Sequence, residues 1–497
     1  MSVVGLLMLI AALLLMTSTG WPSYAILLGV SWVAALGGVA AGAFDWPLLA
    51  SLPLRIVGLL EHDLLQALVL YALVGALLHR LALADIVYRG LFRALSRCTR
   101  RSPETLAGFG LGTLFAPMNG SVAASLLLLS RTASVYWQRA GMAGAERVVH
   151  VAVISTLGVI VPPSLVLLLL GDALMRAHTE ALSGVAAGAE LARVINTQDV
   201  LQAALLPGAL LWLVWLGVAW WRAPVLQPTA AADASLAACP ALSRQERWVV
   251  AVVPGVIVSL LVLVTLGRVR AVEAAASAGV LLVLYGVATR QLKGPLLRQV
   301  LDDAMALSGA LFALLVAATS FSLLLRAYGT DHLVAEAMQA LHGRPLLATL
   351  LVETGLLACA FVLDAFELIF LVVPIVMPAL LAEVGDAGWI AAITLLVLQA
   401  GFLLPPFGYA LVLARAMDPP RVPLLALLRA LWPYLMAVLA VLALVLAEPG
   451  LTHWLRTAPE ANASAQPISA EEVEALMRAM SSRSDAPDPP TPAASQR

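Results

Sequence analysis

Ser155-Thr-Leu-Gly158-Val-Ile-Val-Pro162-Pro163-Ser164 interrupts an apolar run that extends over residues 148–170. Two adjacent prolines remove two backbone donors and clash with the preceding turn, so a continuous helix cannot pass this point. In hydrocarbon, a broken helix persists only where its freed backbone groups face protein or a water-filled cavity. Gly401-Phe-Leu-Leu-Pro405-Pro406-Phe-Gly408 repeats the device in a second apolar run, and both breaks read Gly-x-x-x-Pro-Pro. Two breaks of one spacing, in different halves of the chain, predict a duplicated working part.

The rest of the chain sets the class. It has 497 residues, 61% of them hydrophobic and 12% charged, with a mean hydropathy of +0.94. A water-soluble chain of this length needs far more charged surface, so the expected fold is an all-α polytopic membrane protein in a lipid bilayer. The net charge of −1 gives no support for nucleic-acid binding. Cys98, Cys239 and Cys359 lack metal or disulfide spacing and read as inert apolar residues. Residues 1–16 are apolar, without a basic start or a cleavage site, and read as the first membrane helix and not as a signal peptide.

Residues 1–104 hold apolar segments at 3–19, 22–43 and 64–80, with a further piece at 47–60. A basic linker follows at 80–101, where Arg89, Arg93 and Arg97 share one helical face and Leu83, Val87, Leu91 and Leu95 the other. That pattern fits an amphipathic helix on a membrane surface or an ordinary solvated loop helix, and both readings place it in the cytoplasm. Residues 105–221 form a first repeat. Its apolar stretch 106–129 is interrupted by Gly112, Pro117, Asn119, Gly120 and Ser121 and has basic residues on both flanks. It reads as a re-entrant hairpin entering from the cytoplasm, with its tip at Asn119-Gly120-Ser121. The broken helix crosses at 148–172, the loop 174–199 is external, and a span at 200–221 leads back to a cytoplasmic linker at 222–247.

Residues 248–345 carry spans at 248–266, 271–288 and 301–325, with the turn Gly267-Arg-Val-Arg270 outside. Residues 346–447 form the second repeat. Its stretch 346–381 is too long for one span, contains Glu353, Asp364, Glu367, Pro374 and Pro378, and is followed by Glu383 and Asp386 without a basic residue. It reads as a second hairpin, entering from the outer face. A broken helix at 389–413 and a last span at 424–447 complete the membrane part. The tail 448–497 is rich in Pro, Ala and Ser and is expected to be disordered, apart from a short helix opened by the capping box Ser469-Ala-Glu-Glu472.

Ser121 lies 41 residues before Pro162, and Asp364 lies 41 residues before Pro405. Each half therefore reads hairpin tip, connector, broken helix, and the flanking charges orient the halves oppositely, as inverted-topology repeats require. A break exposes N–H groups where one half-helix starts, which attract carboxylates, and carbonyls where the other ends, which coordinate cations such as sodium. The candidate substrate- and ion-binding set is Asn119, Gly120, Ser121, Gly158, Pro162, Pro163 and Ser164 in the first half, and Asp364, Gly401, Pro405, Pro406 and Gly408 in the second. A sodium ion is expected near Ser121, Gly158, Asp364 and Gly401. A carboxylate in lipid costs at least ~2.5 kcal/mol and is usually paired or functional. Asp364 thus reads as an ion ligand or proton carrier, or as a group paired with Arg326 or a backbone donor. Glu273, near a helix start, reads as a cap, and His150 and Asp172 as surface residues.

The stretch 155–164, with Leu205-Leu-Pro-Gly208, Val272-Glu-Ala274, Val362-Leu-Asp364 and Leu404-Pro-Pro-Phe-Gly408, resembles the large membrane subunit of tripartite ATP-independent periplasmic (TRAP) transporters over most of residues 1–447. The resemblance implies an elevator architecture of the ion-transporter superfamily and sodium-driven import of a small organic acid across the bacterial inner membrane. It implies no enzymatic step and no cofactor beyond the coupling ion. Two partners are implied, a small four-helix TRAP membrane subunit and an extracytoplasmic solute-binding protein. The chain departs from the family pattern at Val122, where a second hydroxyl is usual, at Leu404 in place of a threonine and at Val397 in place of an asparagine. Each departure removes a candidate ion ligand. A stand-alone ion-coupled carboxylate symporter of the same architecture is the alternative reading. An intramembrane enzyme would need a constellation such as His-Glu-x-x-His or facing aspartates, which these carboxylates do not form. A channel matches duplicated hairpins less well than alternating access does.

Overall fold

The computed structural model describes residues 2–60, 63–99, 101–162, 164–184, 196–222, 242–405, 408–417 and 422–454. Pro163, Pro406, Cys239, most of the 222–247 linker and the tail helix opened by Ser469 lie outside the described residues. The described part is helical, with no strand among the described residues.

The first half begins with α1 (Ser2–Thr19) and α2 (Ser23–Ala40). The stretch at 47–60 becomes two short helices, α3 (Trp46–Ala50) and α4 (Leu52–Leu60), before α5 (Asp63–Arg80). The chain then bends by 67° into α6 (Leu83–Cys98). Next come α7 (Pro103–Phe115), a tight turn at Pro117–Asn119, α8 (Val122–Arg131) and α9 (Ala133–Arg139). The first broken helix consists of α10 (Gly144–Ser155), α11 (Leu157–Ile160) and α12 (Leu165–Gly184), bent by 42° at the break, and α13 (Thr197–Arg222) closes the half. The second half runs through α14 (Arg244–Thr265), α15 (Ala271–Ala288), α16 (Gly294–Ala327) and α17 (Thr330–Gln339). Its hairpin is α18 (Pro345–Cys359), one turn α19 (Ala365–Glu367), a π-helical turn Leu368–Val372 and α20 (Val373–Val384). The second broken helix is α21 (Ala387–Leu403) with α22 (Tyr409–Met417), and α23 (Leu424–Ala447) ends the membrane part.

Helix lengths identify the hairpins. At 1.5 Å per residue the 13 residues of α7 and the 15 of α18 reach only about 20 and 22 Å, short of a hydrocarbon core of about 30 Å. The tips at 116–121 and 360–364 therefore stop inside the membrane. Length and composition alone would count Ala365–Val384 as a span, but its short partner arm makes it the return limb of a hairpin. With both hairpins re-entrant, and with the shorter apolar helices α1 and α21 counted as spanning, α1, α2, α5, the broken α10–α12 and α13 cross in the first half, and α14, α15, α16, the broken α21–α22 and α23 in the second. An odd number of crossings per half makes the second half start on the opposite face, so the repeat is inverted.

The packing carries the same relation. Helix α2 lies on α16 as α15 lies on α5, α1 meets α17 as α14 meets α6, and α13 meets α21 as α10 meets α23. The hairpin limb α20 packs on α12 as α8 packs on α22, while α5 with α16 and α13 with α23 pair across the middle. Ser121 and Asp364, Gly158 and Gly401, and Pro162 and Pro405 are all 243 residues apart, as are Thr156 and Gln399. The correspondence extends to the outer helices, where α4 and α5 match the unbroken α16. Residues 1–454 pack as one unit.

Polar contacts correct the expectations for Arg89, Arg326, His150 and Asp172. Arg89 does not face lipid headgroups or solvent. It is buried, with Nε on Asp85 at 2.9 Å and Nη2 on Glu246 at 2.6 Å. Two carboxylates offset the charge and let α6 dock against α7 and α14. Arg326 is not the partner of Asp364. It binds Glu180 through both guanidinium nitrogens at 2.5 and 2.9 Å and reaches the Pro374 carbonyl at 3.4 Å. That carbonyl lacks its helical donor because Pro378 has no N–H. Arg222 does the same service at Pro433, donating to the Arg429 and Ala430 carbonyls at 3.2 and 2.9 Å. Neither His150 nor Asp172 is a free surface residue: His150 meets the Tyr434 hydroxyl at 3.0 Å, and Asp172 is buried and paired with Arg176 at 2.6 Å. Glu273 caps α15 as its position predicts, accepting from the Arg270 N–H at 3.1 Å.

The inversion makes a topological prediction. In a chain cleared of its cysteines, Trp21→Cys and Arg268→Cys occupy equivalent exposed turns of the two halves. A membrane-impermeant maleimide applied to intact cells should label Cys at 268 and reach Cys at 21 only after permeabilisation. Labelling of both from one side would mean a parallel repeat.

Candidate functional site

Each hairpin tip is closed by the residue that the 41-residue spacing singles out. The Ser121 hydroxyl accepts from the Ala124 N–H at 3.1 Å and starts α8, after Gly120 has turned the chain at a φ of 71°. Asn119 is buried, its Nδ2 donating to the Ser125 hydroxyl at 3.2 Å. At the other tip, Asp364 accepts from the Glu367 N–H at 2.9 Å, and Glu367 accepts from the Asp364 N–H at 3.0 Å, a reciprocal capping box. Ser121 and Asp364 thus do the same local work on opposite sides of the repeat. Of the pairings open to Asp364, the structure takes the backbone donor.

The motif glycines explain how the tips meet the breaks. A Cβ on Gly158 would lie 2.6 Å from the Ala116 carbonyl oxygen, and a Cβ on Gly401 would lie 2.5 Å from the Ala360 Cβ. Each glycine therefore marks the place where the tip of its own hairpin closes on its own broken helix. On the far side of the first break Gly120 faces the Leu165 side chain. The break itself is stitched by Ser164, which donates to the Val159 carbonyl at 3.2 Å and accepts from the Leu167 N–H at 3.0 Å. Ser164 thus spans the gap at Pro162 and caps α12, so its hydrogen is already engaged. The second break has no such hydroxyl. There the Gly408 N–H donates to the Leu404 carbonyl at 2.9 Å, and Pro405 follows Leu404 into the turn.

Two residues that sequence reasoning did not single out join the two halves. Gln399 and Thr156 are both fully buried, and Gln399 Nε2 donates to Thr156 Oγ1 at 2.6 Å, while that hydroxyl donates to the Val153 carbonyl at 2.8 Å. They are equivalent positions, 243 residues apart, so the pseudo-twofold axis passes through this bond. The signal was present in each motif, a polar residue two places before the glycine in an otherwise apolar run. Gln399 Oε1 is buried without a hydrogen-bond partner among the described residues.

The candidate residues thus form two groups. Asn119, Gly120, Ser121, Gly158, Pro162 and Ser164 gather around the first tip and break, and Asp364, Gly401, Pro405 and Gly408 around the second. Among the described residues no three His, Cys, Asp or Glu side chains converge to hold a metal ion. A cation at either group would rest on hydroxyls, backbone carbonyls and, in the second, the Asp364 carboxylate.

Such a molecule, with paired re-entrant hairpins and broken helices inverted about one axis, is a polytopic membrane transporter by architecture. A family model described as "Tripartite ATP-independent periplasmic transporter, DctM component" matches residues 6–451, and the chain belongs to that family. No curated protein matches the chain. Among solved structures the fold is similar to that of the YdaH transporter of Alcanivorax borkumensis, which is described as having an unusual topology. The likeness covers 88% of this chain and 98% of that one, with a TM-score of 0.57 at 14% identity. The DctM component is a transport protein and not an enzyme.

Two sets of substitutions test this geometry. Gly401→Ala should destabilise the protein by about 1–3 kcal/mol through overpacking, and Ala360→Gly should restore much of the loss. Gly158→Ala should cost as much without rescue by Ala116→Gly, because its contact is with backbone. Thermal unfolding in detergent reads both. A double-mutant cycle of Thr156→Val and Gln399→Leu should show a coupling of about 0.5–3 kcal/mol, and additivity would remove the bond from the interface.

Proposed function

We propose that this chain is the permease of a TRAP system that imports a small organic acid across the bacterial inner membrane, driven by an ion gradient and carried by an elevator motion. The observation behind this reading is the pair of hairpin-and-break units, each closed at a glycine and joined on the pseudo-twofold axis by Thr156 and Gln399. A carboxylate substrate needs donors, and the half-helix starts after the tips and breaks supply backbone N–H groups without a buried cation. Asn119, Gly120, Ser121, Gly158, Pro162, Pro163 and Ser164 would form one side of this site and Asp364, Gly401, Pro405, Pro406 and Gly408 the other. Sodium is the proposed coupling ion, bound near Ser121 and Gly158 and near Asp364 and Gly401. Val122, Leu404 and Val397 reduce the oxygens on offer, so this chain would use fewer sodium ligands than its family pattern provides. Membership of the DctM family supports two partners, a small four-helix membrane subunit and an extracytoplasmic solute-binding protein that delivers the substrate.

Uptake of organic acids by proteoliposomes, with and without these partners, under separate sodium and proton gradients, tests the proposal. Uptake should require the partners, and full activity of the chain alone would favour the stand-alone symporter. Asp364→Asn is the decisive variant, since asparagine also caps helices well and removes only the charge. It should weaken the ion dependence of uptake with little loss of stability. Unchanged ion dependence would take Asp364 out of the site.

A further inference from the structure

Glu353 lies in the middle of α18, in the entering limb of the second hairpin, and is 4% exposed. Its side chain meets α21 at Thr394, with Glu353 Oε1 and Thr394 Oγ1 2.7 Å apart. The same Thr394 oxygen lies 2.8 Å from the Ile390 carbonyl. Glu353 Oε2 is buried and has no hydrogen-bond partner among the described residues.

The hydrogens do not balance for a carboxylate. A threonine hydroxyl has one hydrogen, and here it faces two acceptors, the Ile390 carbonyl and Glu353 Oε1. That hydrogen would be shared in a weak three-centre bond, or one contact would be oxygen against oxygen with nothing between them. The count closes when the carboxyl carries a hydrogen. Glu353 Oε1–H then donates to Thr394, Thr394 donates to Ile390, and Oε2 is the carbonyl oxygen of a neutral acid. An unpartnered oxygen is far less costly in a neutral acid than in a buried carboxylate.

No neighbouring charge competes with this reading. Helix α21 has no ionisable side chain, and neither has the π-helical turn Leu368–Val372. The one such residue on α20 is Glu383, which accepts from the Gly343 N–H at 2.7 Å and meets His342 at 2.9 Å beyond the start of α18. On α18 itself Cys359 is the other titratable group, and at the tip Asp364 and Glu367 cap each other's backbone. The equivalent positions in the first half are Gly110 and Val151, so the pair exists in one hairpin alone.

We propose that Glu353, together with Thr394, is a proton-binding site between the second hairpin and the second broken helix. The acid is neutral while the two elements are packed, and its proton passes to water, leaving a carboxylate, when that face of the hairpin opens. The site stands on its hydrogen-bond geometry. Its use as a coupling site rests on the ion-driven transport proposed above, and the first measurement below needs no transport.

Infrared spectra of the full chain in proteoliposomes at neutral pH should contain the carbonyl stretch of a protonated carboxylic acid that shifts in deuterium oxide. Glu353→Gln should remove that band and Thr394→Val should displace it, and if the glutamine variant does not fold, Glu353→Asp should displace it as well. Protonated-acid bands that are the same in all variants would overturn the site. A carboxylate band that is lost in Glu353→Gln and moves when potassium replaces sodium would overturn it in favour of a cation site. In uptake assays Glu353→Gln should abolish any response to a proton gradient and keep the response to sodium. A band assigned to Glu353 with wild-type uptake indifferent to a proton gradient would overturn the coupling role.

Discussion

Inside a bilayer every backbone N–H and C=O must find a partner within the protein, because hydrocarbon offers none. This constraint organises the whole chain. The pairs of prolines break two helices at depth, and each break is covered by the tip of its own hairpin, close enough that only glycine fits at positions 158 and 401. Elsewhere two single prolines free single carbonyls that arginines reach from the helix ends, Arg222 beside Pro433 and Arg326 beside Pro378. Hydroxyls and a carboxylate at the tips and at the first break have the same task. Ser121, Ser164 and Asp364 all accept from the first free N–H groups of the helices they open.

Symmetry places these solutions in pairs, and the bond between Thr156 and Gln399 marks where the pairs meet. A contact between equivalent residues can occur only on the axis that relates them, so this bond joins the two broken helices directly. It leaves the buried Gln399 Oε1 without a hydrogen-bond partner among the described residues. The departures from symmetry are chemical more than geometric. The first break has a bridging serine and the second has none, while the second hairpin has the carboxylates Glu353, Asp364 and Glu367 and the first tip has a serine. The first tip and break therefore offer neutral oxygens and the second hairpin offers acids, which bears on how each unit handles a cation or a proton.

Much of this was legible in the chain. The breaks, the hairpins and the 41-residue spacing could be read because each concerns residues close in sequence, where a proline or a capping side chain acts on its own turn. The role of Asp364 as a cap was half visible for the same reason, since Glu367 follows three residues later. Residues whose role depends on a distant partner could not be read. Arg89 looked like a surface charge until Glu246, 157 residues away, was found beside it. Thr156 and Gln399 were not singled out in the sequence, and Glu353 was one acid among several in its stretch, until the helices that face them were in place.

By itself, then, the sequence determined the class of the protein, the two broken helices, the hairpins and their inverted order, because hydropathy, proline and flanking charge act through local rules of backbone and bilayer. The tertiary structure alone decided which tip closes on which break, which arginine satisfies which carbonyl, and that Thr156 meets Gln399 and Glu353 meets Thr394. Those pairings depend on how the helices pack in three dimensions. The opening break at Pro162 thus owes its existence to two prolines and its persistence in lipid to Ser164 and to the hairpin that covers it.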